Sequence, residues 1–79
     1  MEFKQRIALH LDAAPSVHPT AFTAANATIL GDVSLGDESS VWFQCVLRAD
    51  IHRISVGPRS NIQDGAVVHV GDPHASLLL

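Results

Sequence analysis

From Val46 to Val70 the chain reads VLRADIHRISVGPRSNIQDGAVVHV. Five polar residues, Arg48, Asp50, Gln63, Asp64 and His69, interrupt a run that is otherwise patterned like β-structure. Each type carries a chemistry. An imidazole is a good ligand for zinc or iron. A guanidinium and a carboxylate two residues apart can pair, for ~0–1 kcal/mol at an open surface. Asn61 and Asp64 are also common corner residues. Gln63 is harder to explain that way, because nothing in the pattern calls for an amide between Ile62 and Asp64.

The pattern that must position these residues has a period of six. Val17, Thr23, Ile29, Leu35, Val41 and Leu47 form one track, and Ala21, Ala27, Val33, Ser39 and Cys45 form a second of small or β-branched residues. Both tracks break together and resume three residues out of phase, as Val56, Ile62 and Val68 with Ile54, Ser60 and Ala66. An amphipathic helix repeats near 3.6 residues, whereas a hexapeptide period marks a parallel β-helix. Three hexads make one triangular coil of about eighteen residues, with the aliphatic residue pointing in. The expected fold is therefore an all-β hexapeptide-repeat solenoid of about three coils over residues 15–79. Residues 1–14 form a lead-in, and no C-terminal helix is expected.

The break falls around Asp50 to Arg53, where extra residues would bulge from a corner. A second break follows Val68, with a Gly71-Asp72-Pro73 turn and then a new coil that has Leu77 and Leu79 inward. On this reading His69 and Gln63, each next to an inward residue, face outward, and so does Trp42, as an interface residue. Cys45 belongs to the core, and His10, His18 and His52 to the surface. With a bare last coil, the chain is expected to be the N-terminal part of a longer protein, the alternative being a short protein capped by its own oligomer.

Composition narrows the function classes. The net charge is −3 with five Lys and Arg, and Tyr is absent, which argues against nucleic acid. Cys45 is the only cysteine, which excludes an internal disulfide and fits a reducing compartment. The apolar run Ile7–Leu11 is interrupted by His10 and is too short for a signal sequence. No window has transmembrane length, so no membrane partner is expected. The resulting expectation is a cytoplasmic protein.

GDVSLGDESSVWFQCVLRADIHRISVGPRSNIQDGAVVHV resembles the γ-class carbonic anhydrases of the hexapeptide-repeat superfamily, through R-x-D, N-I-Q-D and V-H at their spacing. The resemblance runs from about Val17 to Val70. It implies a left-handed coil, a homotrimer with zinc or iron between subunits, and carbon dioxide or bicarbonate as substrate. It makes Arg48 and Asp50 an ion pair beside the site, and Gln63 a hydrogen-bond partner of metal-bound water or bicarbonate. Asp64 supports that network, and His69 is the first of three metal ligands. The metal would lower the pKa of its water to about 7.

Two departures accompany the resemblance. The family's other two histidines lie in a G-H-x4-H segment that this chain does not contain, so the chain by itself is expected to be inactive and to hold metal weakly. His74 matches no ligand. Ile51 stands where the best-studied members of the family carry an acidic residue linked to proton transfer. The rival readings are an acyl-coenzyme A-dependent transferase, for which His52 is the available catalytic histidine, and a non-catalytic assembly subunit.

Overall fold

The computed structural model describes residues 2–72 and 74–79. One helix, α1 (Phe3–Asp12), precedes eight strands: β1 (Ser16–Val17), β2 (Phe22–Thr23), β3 (Thr28–Leu35), β4 (Ser40–Val41), β5 (Val46–Val56), β6 (Asn61–Ile62), β7 (Val67–His69) and β8 (Leu77–Leu78). The protein is thus mostly β, and the all-β expectation is corrected at its N-terminus. FKQRIALHLD is rich in strong helix formers. The backbone N–H of Glu2 donates to Gln5 Oε1 at 3.0 Å, which fastens the first turn. The helix buries none of its residues completely.

All strand pairs are parallel. One sheet runs β1-β3-β5-β7, with β8 also on β5, and the other runs β2-β4-β6. Ser16 stands opposite Ser34, Phe22 opposite Ser40 and Thr28 opposite Val46, each partner eighteen residues further along. Three hexads therefore separate stacked partners in the coils before the bulge, which is why the apolar track recurs every sixth residue, and three residues more separate Ser40 from Asn61 and Arg48 from His69 across it.

Six tight turns explain the small-residue track. Ala21, Ala27, Ser39, Cys45, Ser60 and Ala66 each donate a backbone N–H to the carbonyl three residues earlier. The closing residue of each turn lies where the chain folds back on itself, and Ser39 and Cys45 there are almost wholly buried. In the four later turns the third residue has a left-handed φ: 53° at Glu38, 61° at Gln44, 58° at Arg59 and 74° at Gly65. That conformation turns its N–H along the stack. Thr20 Oγ1 accepts from Glu38 and Asn26 Oδ1 from Gln44, both at 2.9 Å. One coil later the carbonyls of Asp37 and Phe43 accept from Arg59 and Gly65.

The third corner has no such turn. β3 and β5 run through it unbroken, with Gly31 opposite Ala49 and then Val33 opposite Ile54. Asp32 alone is matched by Asp50–Arg53, so the three extra residues lie where the broken tracks place them. Gly31 is required here. Its φ is +82°, and a Cβ would come within 2.2 Å of the Ala49 carbonyl oxygen.

Of the expected inward residues, Leu35, Val41, Leu47, Val56 and Ile62 are buried, and Ile29 and Val68 pack partly against the same core. Val17, 45% exposed, and Leu79, 40% exposed, are corrections. Val17 pairs only with the β3 side, and Leu79 follows β8, which pairs only with β5. A terminal coil has a neighbour on one side alone, so its apolar residues are half covered. The expected Gly71-Asp72-Pro73 turn includes Pro73, which lies outside the described residues. Among the described residues no helix is long and apolar enough to cross a membrane.

Candidate functional site

The stacking of β5 on β7 sets Arg48 opposite His69. Residue 49 then points into the core, where Ala49 is fully buried, so Arg48 and Asp50 both project outward. Asp50 consequently lies between the other two. Its Oδ2 is 3.6 Å from Arg48 Nε and its Oδ1 is 3.4 Å from His69 Nε2. Both distances exceed a normal N–H···O bond. Asp50 Oδ1 is buried and has no hydrogen-bond partner among the described residues. Leaving a buried acceptor unsatisfied costs about 1–3 kcal/mol. An orphaned carboxylate oxygen facing an imidazole marks this corner as more than packing.

Gln63 and Asp64 are both exposed. They open the turn closed by the Ala66 N–H donating to Gln63 O, immediately before β7. The structure thus brings Arg48, Asp50 and His69 together. It sets Gln63 and Asp64 at the opposite end of β7, with no hydrogen bond or ion pair to the other three among the described residues. Gln63 also anchors the core through its backbone, since Cys45 Sγ donates to Gln63 O at 2.9 Å.

The bulged corner is held by side chains whose partners spacing did not disclose. Arg53 Nε donates to Asp32 Oδ2 at 3.1 Å. The His52 ring stacks on His10 of α1, with centroids 6.2 Å apart and planes at 29°. Both histidines are half-buried, which corrects the surface assignment. His52 Nδ1 accepts the Arg53 backbone N–H at 2.8 Å, an engagement that lends no support to His52 as a catalytic base. Trp42, expected to face outward as an interface residue, is engaged within its own chain. It is half-buried, its Nε1 donates to Ser40 Oγ at 2.9 Å, and its ring lies 5.0 Å from Phe22.

Zinc normally takes at least three protein ligands. Among the described residues no group of three or more His, Cys, Asp or Glu side chains could hold one ion. His69 brings a single imidazole, and the carboxylate beside it also faces Arg48. His74 is exposed and its N–H donates to Asp72 Oδ1, a local turn contact. These residues by themselves do not fit a complete metal centre.

No protein-family model matches the chain. Among curated proteins it is 41% identical over 80 residues to γ-carbonic anhydrase 1, mitochondrial, of Arabidopsis thaliana, covering 94% of this chain and 29% of that protein. It is 44% identical over 55 residues to a carbonic anhydrase of Geobacillus kaustophilus, covering 70% and 30%. It is 49% identical over 65 residues to an uncharacterised transferase of Bacillus subtilis, covering 82% and 37%. The chain spans about a third of the length of these relatives. On these identities the chain belongs to the γ-carbonic anhydrase/hexapeptide transferase family.

Proposed function

We propose that this chain supplies one part of a γ-carbonic anhydrase-like centre for the reversible hydration of carbon dioxide. The observation that carries this reading is the convergence of His69, Asp50 and Arg48 across the β5–β7 stack. In this reading the two sheets close into a left-handed parallel β-helix over residues 15–79. The eighteen-residue register and the six repeated turns support that closure.

His69 serves as one ligand to zinc or iron. The carboxylate of Asp50 orients its ring while Arg48 holds that carboxylate in place. Gln63 and Asp64, at the other end of β7, act on bound bicarbonate or water. The remaining ligands come from residues outside this chain, in a homotrimer whose sites lie between subunits.

A chimera tests the reading. The chain replaces the aligned segment of the Geobacillus kaustophilus carbonic anhydrase, and metal content and carbon dioxide hydration are measured. The expected result is a metal-loaded, active chimera, with His69→Ala lowering hydration about a hundredfold or more. Unchanged hydration in a folded His69→Ala chimera would overturn the ligand assignment. The 79-residue chain alone should bind zinc no more tightly than about micromolar, because one imidazole is too few. Tight binding near one zinc per chain by calorimetry would mean that the chain completes a site by itself.

A further inference from the structure

The four residues Asp50–Arg53 stand opposite Asp32 alone, between two fixed ends. Gly31 pairs with Ala49 and Val33 with Ile54, and Ala49 and Ile54 are both completely buried. Each residue has two soft backbone torsions. A loop of four residues whose ends cannot move therefore keeps little freedom, and turning any one of its residues turns the others.

Two side-chain contacts act on the far half of that loop. Arg53 Nε donates to Asp32 Oδ2 at 3.1 Å, one coil below. The His52 ring lies against His10 of α1, with centroids 6.2 Å apart. α1 itself packs on β3 and β5, and the His10 carbonyl oxygen lies 3.1 Å from where a Gly31 Cβ would be. The loop is thus held from two directions, by an ion pair to the coil beneath and by a ring contact to the helix. The ion pair is open to solvent, and such pairs add little to stability.

Neither contact reaches the candidate site, but the first residue of the loop does. Asp50 stands between Arg48 Nε at 3.6 Å and His69 Nε2 at 3.4 Å. Both distances are too long for a normal hydrogen bond, and Asp50 Oδ1 has no hydrogen-bond partner among the described residues. The carboxylate is therefore placed by the backbone that carries it, more than by the groups it faces.

We propose that Arg53 and His52 are positioning residues of the candidate site, acting through the loop on Asp50 and through Asp50 on His69. The effect on a bound metal rests on the carbonic anhydrase reading above, whereas the effect on the Asp50–His69 contact does not.

Nuclear magnetic resonance of the 79-residue chain tests the geometry. The nuclear Overhauser contact between the Asp50 Hβ protons and His69 Hε1 is the readout, and the amide shifts of β4 report on the fold. Arg53→Ala and His52→Ala should each weaken the contact and together abolish it, with β4 unchanged. Arg53→Lys keeps a cation for Asp32 and should retain the contact. Arg59→Ala, at a turn closed by backbone bonds, should retain it too. A contact that survives in the folded double variant would overturn the proposal, as would its absence from the wild-type chain. If the double variant does not fold, the single variants decide, and an unchanged contact in both overturns the proposal.

The Geobacillus kaustophilus chimera, carrying the whole chain, tests the route to the metal. Asp50→Ala should weaken zinc binding about tenfold or more. Arg53→Ala with His52→Ala should weaken it in the same direction while Asp50 is present, and should change it less than about twofold once Asp50 is Ala. Equal losses in the two backgrounds would overturn the route through Asp50. A chimera that takes up no zinc in any form would overturn the carbonic anhydrase reading, and the contact measured in the chain would still decide whether Arg53 and His52 position Asp50.

Discussion

At the corner Trp42–Cys45 the chain passes from one sheet to the other within four residues, closed by a backbone bond, a left-handed Gln44 and a buried Cys45. At the corner between Ala49 and Ile54 four residues intervene and no turn closes. The chain is held instead by Arg53 on Asp32, His52 on His10 and Asp50 between Arg48 and His69. The turn corners recur with little change because backbone bonds and small residues suffice to make them. The bulged corner is unique because its structure depends on which side chains are present. That dependence is what allows it to carry chemistry, and it also makes it sensitive to substitution.

The sharpest way to break the comparison is at Gly31, the bulged corner's one strict backbone requirement. Gly31→Val puts its Cβ well inside van der Waals contact with the Ala49 carbonyl and forces a β-branched residue to positive φ. It should cost more than about 4 kcal/mol, so urea denaturation should find little or no folded protein. A well-folded Gly31→Val chain would show that the corner can re-form with another backbone path. Next in size, Leu47→Ala empties a wholly buried position in the shared core and should cost about 2–5 kcal/mol. Val17→Ala, on the same track at the half-covered end, should cost under about 1 kcal/mol. Equal losses from the two in denaturant titrations would mean that the terminal coil is covered in solution.

Smaller effects separate the two kinds of corner further. Ser39→Ala removes a buried hydroxyl that donates to Gly36 O at 2.7 Å, and should cost about 1 kcal/mol. Arg53→Ala breaks an ion pair that is largely open to solvent, and should cost about 0.5 kcal/mol. A double-mutant cycle with Asp32→Ala should return a coupling of that size, reduced by salt. A coupling several times larger would place the bulge's stability in this pair and not in Gly31.

Much of the repeating framework was legible because it is governed by local rules. Six-residue spacing of aliphatic residues specifies which side chains face in, and small residues mark where turns close. Even the position of the insertion followed from the phase break between Leu47 and Val56. The helix at Phe3–Asp12 was missed because it lies outside the repeat, where only propensity speaks. Val17 and Leu79 were misjudged because periodicity gives direction, whereas burial also needs a neighbour on both sides. Trp42 was expected to face outward at an interface; it is half-buried, with Phe22, one coil below, against its ring.

The candidate site divides along the same line. Its residue types, and the outward direction of His69 and Gln63, followed from the sequence. The separation of Arg48, Asp50 and His69 from Gln63 and Asp64 did not, because it depends on how β5 lies on β7. The pairing of Asp32 with Arg53 and of His10 with His52 spans 21 and 42 residues of chain, and no spacing rule reaches that far. The sequence by itself determined the period, the inward track, the small-residue corners and the place of the bulge, because each depends on neighbours within a few residues. Only the tertiary structure decided which side chains meet at the bulge and which apolar residues remain half covered, because those depend on coils that stack across the whole chain.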